Sequence, residues 1–378
     1  PYRDDKQADR VELFAERHAE TGLPLVYCNL VGGQDELVFD GRSMLVDRDG
    51  QVSEPGPLCE EALLLADYEP GIGSLNWSEE SGIDTGMKSL VSSSGSAASA
   101  AEIYKVITTG LRDYVHKNGF SDVVFGLSGG IDSSLVLAVA VDALGAGRVH
   151  TVMMPSRHTS GLSIELAQEQ AVQLGVDHRC ISIEPAFEAL LTLLTPSFEG
   201  REQDVTEENL QARARGNIIM ALSNKFGWLP IVTSNKSELA VGYCTIYGDM
   251  CGGFGPLLDC SKMRVYELSR YRNTISPAIP ENVITRPPSA ELRPDQQDQD
   301  SLPPYEVLDE VLQRYVEQDW SVEEIIADGY DEAMVHRIAR LVLINEYKRR
   351  QAPPGVRITH RAFGRDRRYP ITSGWRNV

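Results

Sequence analysis

Two spacings of apolar residues take turns along most of this chain. Positions three and four apart predict a helix over residues 102–117, and the short apolar run "DVVFGL" (122–127) has the length of a buried strand. A helix over 131–144, a strand at 149–154, a helix over 161–174 and a strand near 178–183 follow. Two further helices lead to the strand "LPIVTS" (229–234). Strands that alternate with helices predict an α/β architecture, a parallel sheet flanked by helices on both faces. Ligands of such sheets bind at the carboxyl ends of the strands.

The flanks follow other rules. "DDKQADRVELFAERHAETG" reads as one amphipathic helix ending at Gly22, and Leu23–Asp47 alternates around glycine corners as adjoining strands do. Those strands are too few for a core of their own, so the sequence is expected to open inside a domain whose earlier part it does not contain. Residues 53–100 end in "SSSGSAASA", a composition that favours a flexible connector. The expected division is therefore 1–52, a linker over 53–100, a main domain over 101–350 and a basic tail over 351–378. Within the main domain, "TRPPSAELRPDQQDQDSLPP" (285–304) is expected to be an exposed, mobile loop, with helices again at 305–318 and 331–350. No internal repeat is visible.

Composition narrows the function. The 378 residues are 42% hydrophobic, enough for a real core, and no apolar run is long enough to cross a bilayer. The first residues lack the pattern of a signal peptide, so a cytoplasmic location is expected. A net charge of -19 repels nucleic acid. The six cysteines form no CxxC pair and no zinc-ligand spacing, and are expected to be mostly buried, reduced thiols.

The chemistry concentrates at "GLSGGIDSS" (126–134). A strand ends at Ser128, Gly129 and Gly130, where missing side chains let backbone N–H groups approach an anion, and the helix behind adds its positive end. That is a phosphate cradle. No lysine follows the glycines, so it is not of the Walker type. Asp132 would repel phosphate unless a divalent cation stood between them, which suggests a magnesium ligand. Ser133 and Ser134 can donate hydroxyl hydrogen bonds. The plainer alternative makes Ser128 a helix cap and the glycines packing residues. The full SGGxDS pattern between strand and helix favours the cradle.

A second constellation is "EENLQARARGNIIMAL" (207–222), where Asn209 and Arg213 are expected on one helical face and Arg215 on another. After the strand ending at Thr233 and Ser234 come Glu238, Tyr243, Thr245, Tyr247 and Asp249. Glu238 is a natural second carboxylate for a cation at Asp132.

The SGGxDS segment resembles the PP-loop of the ATP pyrophosphatase superfamily, which has an adenine nucleotide alpha hydrolase-like fold. With the later segments, residues 100 to 350 resemble NAD⁺ synthetase. The resemblance implies ATP-dependent amidation of deamido-NAD through an acyl-adenylate, releasing AMP and pyrophosphate. It implies ATP contacts at Gly126, Ser128, Gly129, Gly130, Asp132, Ser133, Ser134, Arg215, Thr233, Lys262 and Ser289. It implies deamido-NAD contacts at Asn209, Arg213, Glu238, Tyr243, Thr245 and Lys348, and Mg²⁺ on Asp132 and Glu238, the pair expected to carry catalysis. Ile246 and Gly253 stand where ammonia-dependent members have a Lys and an Asp, which fits the glutamine-using branch. "LVYCNLVGGQDELVFDGRSMLVD" is similar to the closing strands of that branch's nitrilase-like glutaminase sandwich, whose Glu-Lys-Cys triad would lie outside this sequence.

Cys28 sits mid-strand and is expected to be a buried strand residue, not that nucleophile. The resemblance further implies a homo-oligomer built on synthetase-domain dimers and an ammonia tunnel. Since an acyl-adenylate must be kept from water, the segments 285–304 and 245–258 are candidate lids, with plain mobile surface as the alternative. Besides a purely structural partner of a glutaminase, which would show no ATP turnover, two alternatives remain. One is another PP-loop enzyme, such as one amidating xanthylate or thiolating tRNA, although the class I glutaminase sequence or CxxC pairs it would carry are not seen. The other is a non-catalytic nucleotide-binding protein, which need not keep Glu238, Arg215 and Lys262 together.

Overall fold

A computed structural model describes residues 1–70, 74–78, 98–294 and 296–373, together with the backbone of 87–89. The N-terminal layer contains α1 (Lys6–Thr21), β1 (Leu25–Tyr27), β2 (Val31–Gln34), β3 (Leu37–Asp40), β4 (Met44–Val46), β5 (Gln51–Ser53), β6 (Ala66–Glu69), β7 (Ser74–Trp77) and β8 (Met87–Ser89). Gly22 closes α1 in the left-handed region, as the sequence predicts. Strands pair antiparallel in the order β1-β4-β5-β8, with β2-β3 and β6-β7 as separate ribbons. Among the described residues this layer's own apolar clusters are small, one around Met44, Val46 and Val52 and one around Leu45, Leu75 and Trp77, while Tyr2, Val38 and Cys59 join the core of the main domain. A buried ion pair, Arg10 to Asp40 at 2.6 and 2.8 Å, ties α1 to β3.

Two expectations change in this layer, and the expectation of mostly buried cysteines changes across the chain. The 53–100 segment is not a plain connector, because β6, β7 and β8 lie in it and β8 pairs with β5. Most of "SSSGSAASA" lies outside the described residues, apart from Ala98, Ser99 and Ala100. Cys28 is exposed rather than buried. It follows the three-residue edge strand β1 on the same open face as Val26, which is 67% exposed, while Leu25 and Tyr27 face inward. Of the other cysteines only Cys59 and Cys260 are buried. Cys180 is exposed because it ends an edge strand, Asp177–Cys180, of the main domain's sheet, and Cys244 and Cys251 are half-buried.

The main domain runs α2 (Ala100–Lys117), β9 (Val123–Gly126), α3 (Ile131–Leu144), β10 (Val149–Met153), α4 (Gly161–Leu174), β11 (Asp177–Cys180), α5 (Glu184–Leu194), α6 (Val205–Phe226), β12 (Leu229–Pro230), α7 (Lys236–Val241) and α8 (Lys262–Ile275). Then come α9 (Glu281–Thr285), α10 (Tyr305–Leu312), α11 (Val322–Ala327), α12 (Glu332–Ile344) and α13 (Glu346–Arg349). Four parallel strands lie in the order β11-β10-β9-β12. Period-two alternation sends Val123 and Phe125 into the core with α2, α3, α4 and α8, and Val124 to the opposite face with Ala214 and Ile219 of α6. Helix α3 is covered nearly all round, which explains a sequence with so little amphipathic contrast.

Strand β12 is shorter than expected. The Ile231 N–H still donates to the Val124 carbonyl at 2.9 Å, and then the chain leaves the sheet, with Val232 donating instead to the Phe254 carbonyl at 2.9 Å. Since β9 feeds β10 on one side while β12 joins on the other, the direction of strand order reverses beside β9. A crevice opens there.

Candidate active site

Beside that reversal lies a cavity of about 600 Å³. Its floor is the corner after β9. Gly129 has φ +75°, and a Cβ there would lie 2.4 Å from the Ser163 carbonyl oxygen of α4, so this position requires glycine twice over. Gly130 opens α3 without a side-chain cap. Ser133 Oγ stitches the corner together, accepting from the Ser128 N–H at 3.2 Å and donating to the Gly130 carbonyl at 3.1 Å. The corner therefore keeps its shape, and Ser128 stays exposed toward the crevice.

Of the expected ATP set, Gly126, Ser128, Gly130, Asp132, Ser133, Arg215, Thr233, Lys262 and Ser289 line this one cavity. Gly129 does not; it serves as the tight approach to α4. Ser134 does not either, being fully buried with an Oγ that finds no hydrogen-bond partner among the described residues. Asn209, Glu238, Tyr243, Thr245 and Lys348 line the cavity as well.

Arg213 is the exception. It is exposed, donates to the Ile246 carbonyl at 3.3 Å and borders a separate groove with Tyr247. The expected helical faces are thus exchanged: Asn209, Ala212 and Arg215 share the cavity side of α6, and Arg213 turns away. Among the described residues Arg215 donates to the Met154 carbonyl alone, at 3.0 Å. Desolvation in the cavity wall pulls its guanidinium down to about 10, against the pull of Glu291 and Asp249. A cation held there without a contacting carboxylate suits an anionic ligand.

Asp132 and Glu238, far apart in sequence, meet on one ammonium. Lys262 Nζ lies 2.6 Å from Asp132 Oδ2 and 3.1 Å from Glu238 Oε1, and Asn235 donates to Asp132 Oδ1 at 2.7 Å. Burial alone would lower Lys262, but the two carboxylates outweigh it and hold it far above the ordinary lysine value. Burial pushes the Glu238 carboxyl upward, with Asp132 and Asp298 adding and Lys262 opposing. The two acids supply the hard oxygen donors magnesium prefers. Since magnesium usually keeps water and phosphate oxygens in its shell, two carboxylates suffice and the donor set fits.

Sequence reasoning missed the far wall. Residues 285–304 do not form a free surface loop. Leu302 and Asp298 are buried, and the Glu291 carboxylate accepts from Ser160 Oγ at 2.8 Å and Ser163 Oγ at 2.7 Å at the head of α4. Asp298 accepts from Tyr305 at 2.8 Å and Tyr243 at 3.2 Å. Arg286, Glu291 and Asp298 therefore line the cavity beside Ser289. Polar partners anchor this segment along most of its length, with Leu302 packed into an apolar cluster at its end. Its only sequence cues were the leucines at 292 and 302.

A parallel sheet with a glycine corner at its reversal point, opening on a cavity where distant acids and cations converge, defines a PP-loop type of nucleotide-binding α/β protein. The chain belongs to the NAD synthase family, whose model, described as NAD synthase, matches residues 103–352. It is 52% identical over 380 residues to the glutamine-dependent NAD(+) synthetase of Xanthomonas campestris, covering 99% of this chain and 66% of that relative. The structure is similar to the glutamine-dependent NAD⁺ synthetase of Acinetobacter baumannii in complex with ADP, with a TM-score of 0.68 and 45% identity, covering 100% of this chain and 67% of that one. An NH3-dependent NAD synthetase from Campylobacter jejuni gives 0.55 and 26%, covering 67% of this chain and 96% of that one. The chain thus spans about two thirds of the length of its glutamine-dependent relatives.

Proposed function

We propose that this chain carries the synthetase activity of a glutamine-dependent NAD⁺ synthetase: ATP-dependent amidation of deamido-NAD to NAD⁺ with ammonia drawn from glutamine. The observation that carries the reading is the meeting of Asp132 and Glu238 at Lys262, in the cavity that the Ser128–Gly130 corner also faces. The names of relatives near 50% identity support it.

The reaction brings a polyphosphate to a carboxylate, and the repulsion must be offset before a bond can form. In our reading the amides of the corner and the head of α3 receive the phosphate chain, with Ser128, Ser133, Thr233 and Ser289 orienting it. Arg215 and Lys262 supply positive charge. Asp132 and Glu238 would hold magnesium, which when bound would neutralise phosphate charge. Asn209, Tyr243, Thr245 and Lys348 are assigned to deamido-NAD, while Arg213 could join only from outside the cavity wall.

The nicotinate carboxylate oxygen attacks the α-phosphorus of ATP, the bond to the bridging oxygen breaks, and pyrophosphate leaves. Ammonia then attacks the acyl carbon, loses a proton and displaces AMP. The 286–298 segment would close the cavity against water, which otherwise hydrolyses the acyl-adenylate.

We further propose that residues 1–52 with β6–β8 end a nitrilase-like glutaminase layer, that residues 101–350 form the synthetase unit, and that synthetase units pair in a homo-oligomer in the cytoplasm. No helix among the described residues is long and apolar enough to cross a membrane. The test mixes this chain with ATP, Mg²⁺, deamido-NAD and ammonium. Equal amounts of AMP, pyrophosphate and NAD⁺ are expected, and no NAD⁺ when glutamine replaces ammonium. ADP as product, or AMP release indifferent to deamido-NAD, would sink the reading.

A further inference from the structure

The short helix α7 is where four consecutive residues each reach a different part of the protein. Asn235, its cap, donates to Asp132 at 2.7 Å. Ser237 accepts from the Lys262 backbone N–H at 2.9 Å and also bonds Asp309. Glu238 accepts from Lys262 Nζ at 3.1 Å. Lys236, between them, turns the other way. Its ammonium donates to Glu317 at 2.6 Å, Thr359 Oγ1 at 2.7 Å and the Arg361 carbonyl at 2.9 Å, and forms an ion pair with Asp259 at 2.8 Å. Lys236 is 3% exposed, lines no cavity described above, and is used by no step of the proposed reaction.

Two of these partners, Thr359 and Arg361, belong to the tail. Asp259 accepts from the backbone N–H groups of Ile358 and Thr359, both at 2.7 Å, so residues 356–361 lie clamped against the start of the α7–α8 unit. On its other edge the same stretch meets the N-terminal layer: Asp4 N–H donates to the Ile358 carbonyl at 2.9 Å and Arg357 N–H to the Glu36 carbonyl at 2.8 Å. Six residues are too few for an isolated helix to hold itself in place, so the direction of α7 is set by these outside bonds. Rotating or sliding it would carry Asn235 and Glu238 away from Asp132 together.

We infer that Lys236, locked by Thr359 and Arg361 of the tail, is a positioning residue of the synthetase site, holding α7 so that Glu238 and Asn235 meet Asp132. The inference rests on the function proposed above and adds to it a tail strap distant from the substrates. A misplacement of about 1 Å at reacting groups costs on the order of 100-fold in rate, which sets the scale of the effect.

The test compares Thr359→Val, an isosteric change that removes the hydroxyl bonded to Lys236, with Lys236→Met and Lys236→Arg in the ammonium assay. Thr359→Val is expected to lower kcat about 10-fold, and Lys236→Met about 100-fold, with KM for ATP changed less than about 3-fold. Lys236→Arg recovers part of the loss, which a simple packing role would not give. A Thr359→Val enzyme with unchanged kcat, or a loss matched by the fraction unfolded, overturns the inference.

Crystal structures of the Thr359→Val and Lys236→Met proteins give a readout independent of turnover. The Asp132 and Glu238 carboxylates are expected to separate in at least one of them, and unchanged positions in both would refute the strap. Absence of turnover by the unsubstituted chain would refute the proposed function alone, and the crystallographic comparison would still decide the strap.

Discussion

The protein contains two buried lysines that look alike and serve different ends. Lys262 and Lys236 each join two carboxylates at 3.1 Å or less, and both are at most 3% exposed. Around Lys236 the remaining donor directions are filled by the Thr359 hydroxyl and the Arg361 carbonyl, and the tail seals the cluster. Around Lys262 both acids line the open cavity. A buried lysine with two acids is therefore no sign of a site by itself. The site is marked by charged groups whose partners leave room for something more.

The largest effect expected from this contrast is at Asp132. Asp132→Asn should cut AMP formation by at least about 1,000-fold while the melting temperature stays within a few degrees, because Glu238 still pairs with Lys262. A rate assay beside a thermal melt checks it, and near-normal turnover would remove Asp132 from the chemistry.

Next is the exchange of each lysine for methionine. Lys236→Met leaves Asp259 and Glu317 buried without their cation, and a loss of about 3–5 kcal/mol is expected in urea unfolding. Lys262→Met should cost less stability, since its acids face the cavity, yet raise KM for ATP at least about 10-fold. The reverse order of stabilities would break the distinction between sealed and open clusters.

The smallest effect concerns Asp4, beside the sealed cluster. Burial, helped by the charges of Glu317 and Asp5, pushes its carboxyl up to about 6 from 3.8. A raised carboxyl contributes stability that is complete below the unfolded value and lost as pH rises through about 6. Asp4→Asn should therefore raise the melting temperature on the order of 1–3 °C near about pH 7.5 and leave it unchanged near about pH 4. Melts at both pH values check the sign; a stabilisation that persists at the acid end would contradict it.

What could be read in advance follows how local the information is. Helix α3 spans Ile131–Leu144 and α4 spans Gly161–Leu174, as the apolar spacing predicts, because each has its stop signal in the next residue, Gly145 or Gly175. Asp132 and Glu238 were each expected just after the carboxyl end of a strand, and the pairing of β9 with β12 is what makes them converge. Segment 285–304 defeated the same reasoning. Its order comes from partners such as Ser160, Ser163 and Tyr243, which are remote in the sequence. Arg213 was misplaced for a related reason: helical spacing relates side chains to one another and does not say which of them faces the sheet.

By itself, then, the sequence determined the strand-and-helix order of the main domain and the glycine corner, since each depends on backbone preferences and spacing within a few turns; most other cavity residues were named through the family resemblance. The tertiary structure alone decided that Gly129 and Ser134 support the corner from behind, that the polar loop forms a wall, and that the tail reaches Lys236. These depend on which distant polar groups desolvate one another, and a polar residue carries no mark of its partner until the chain has folded around it.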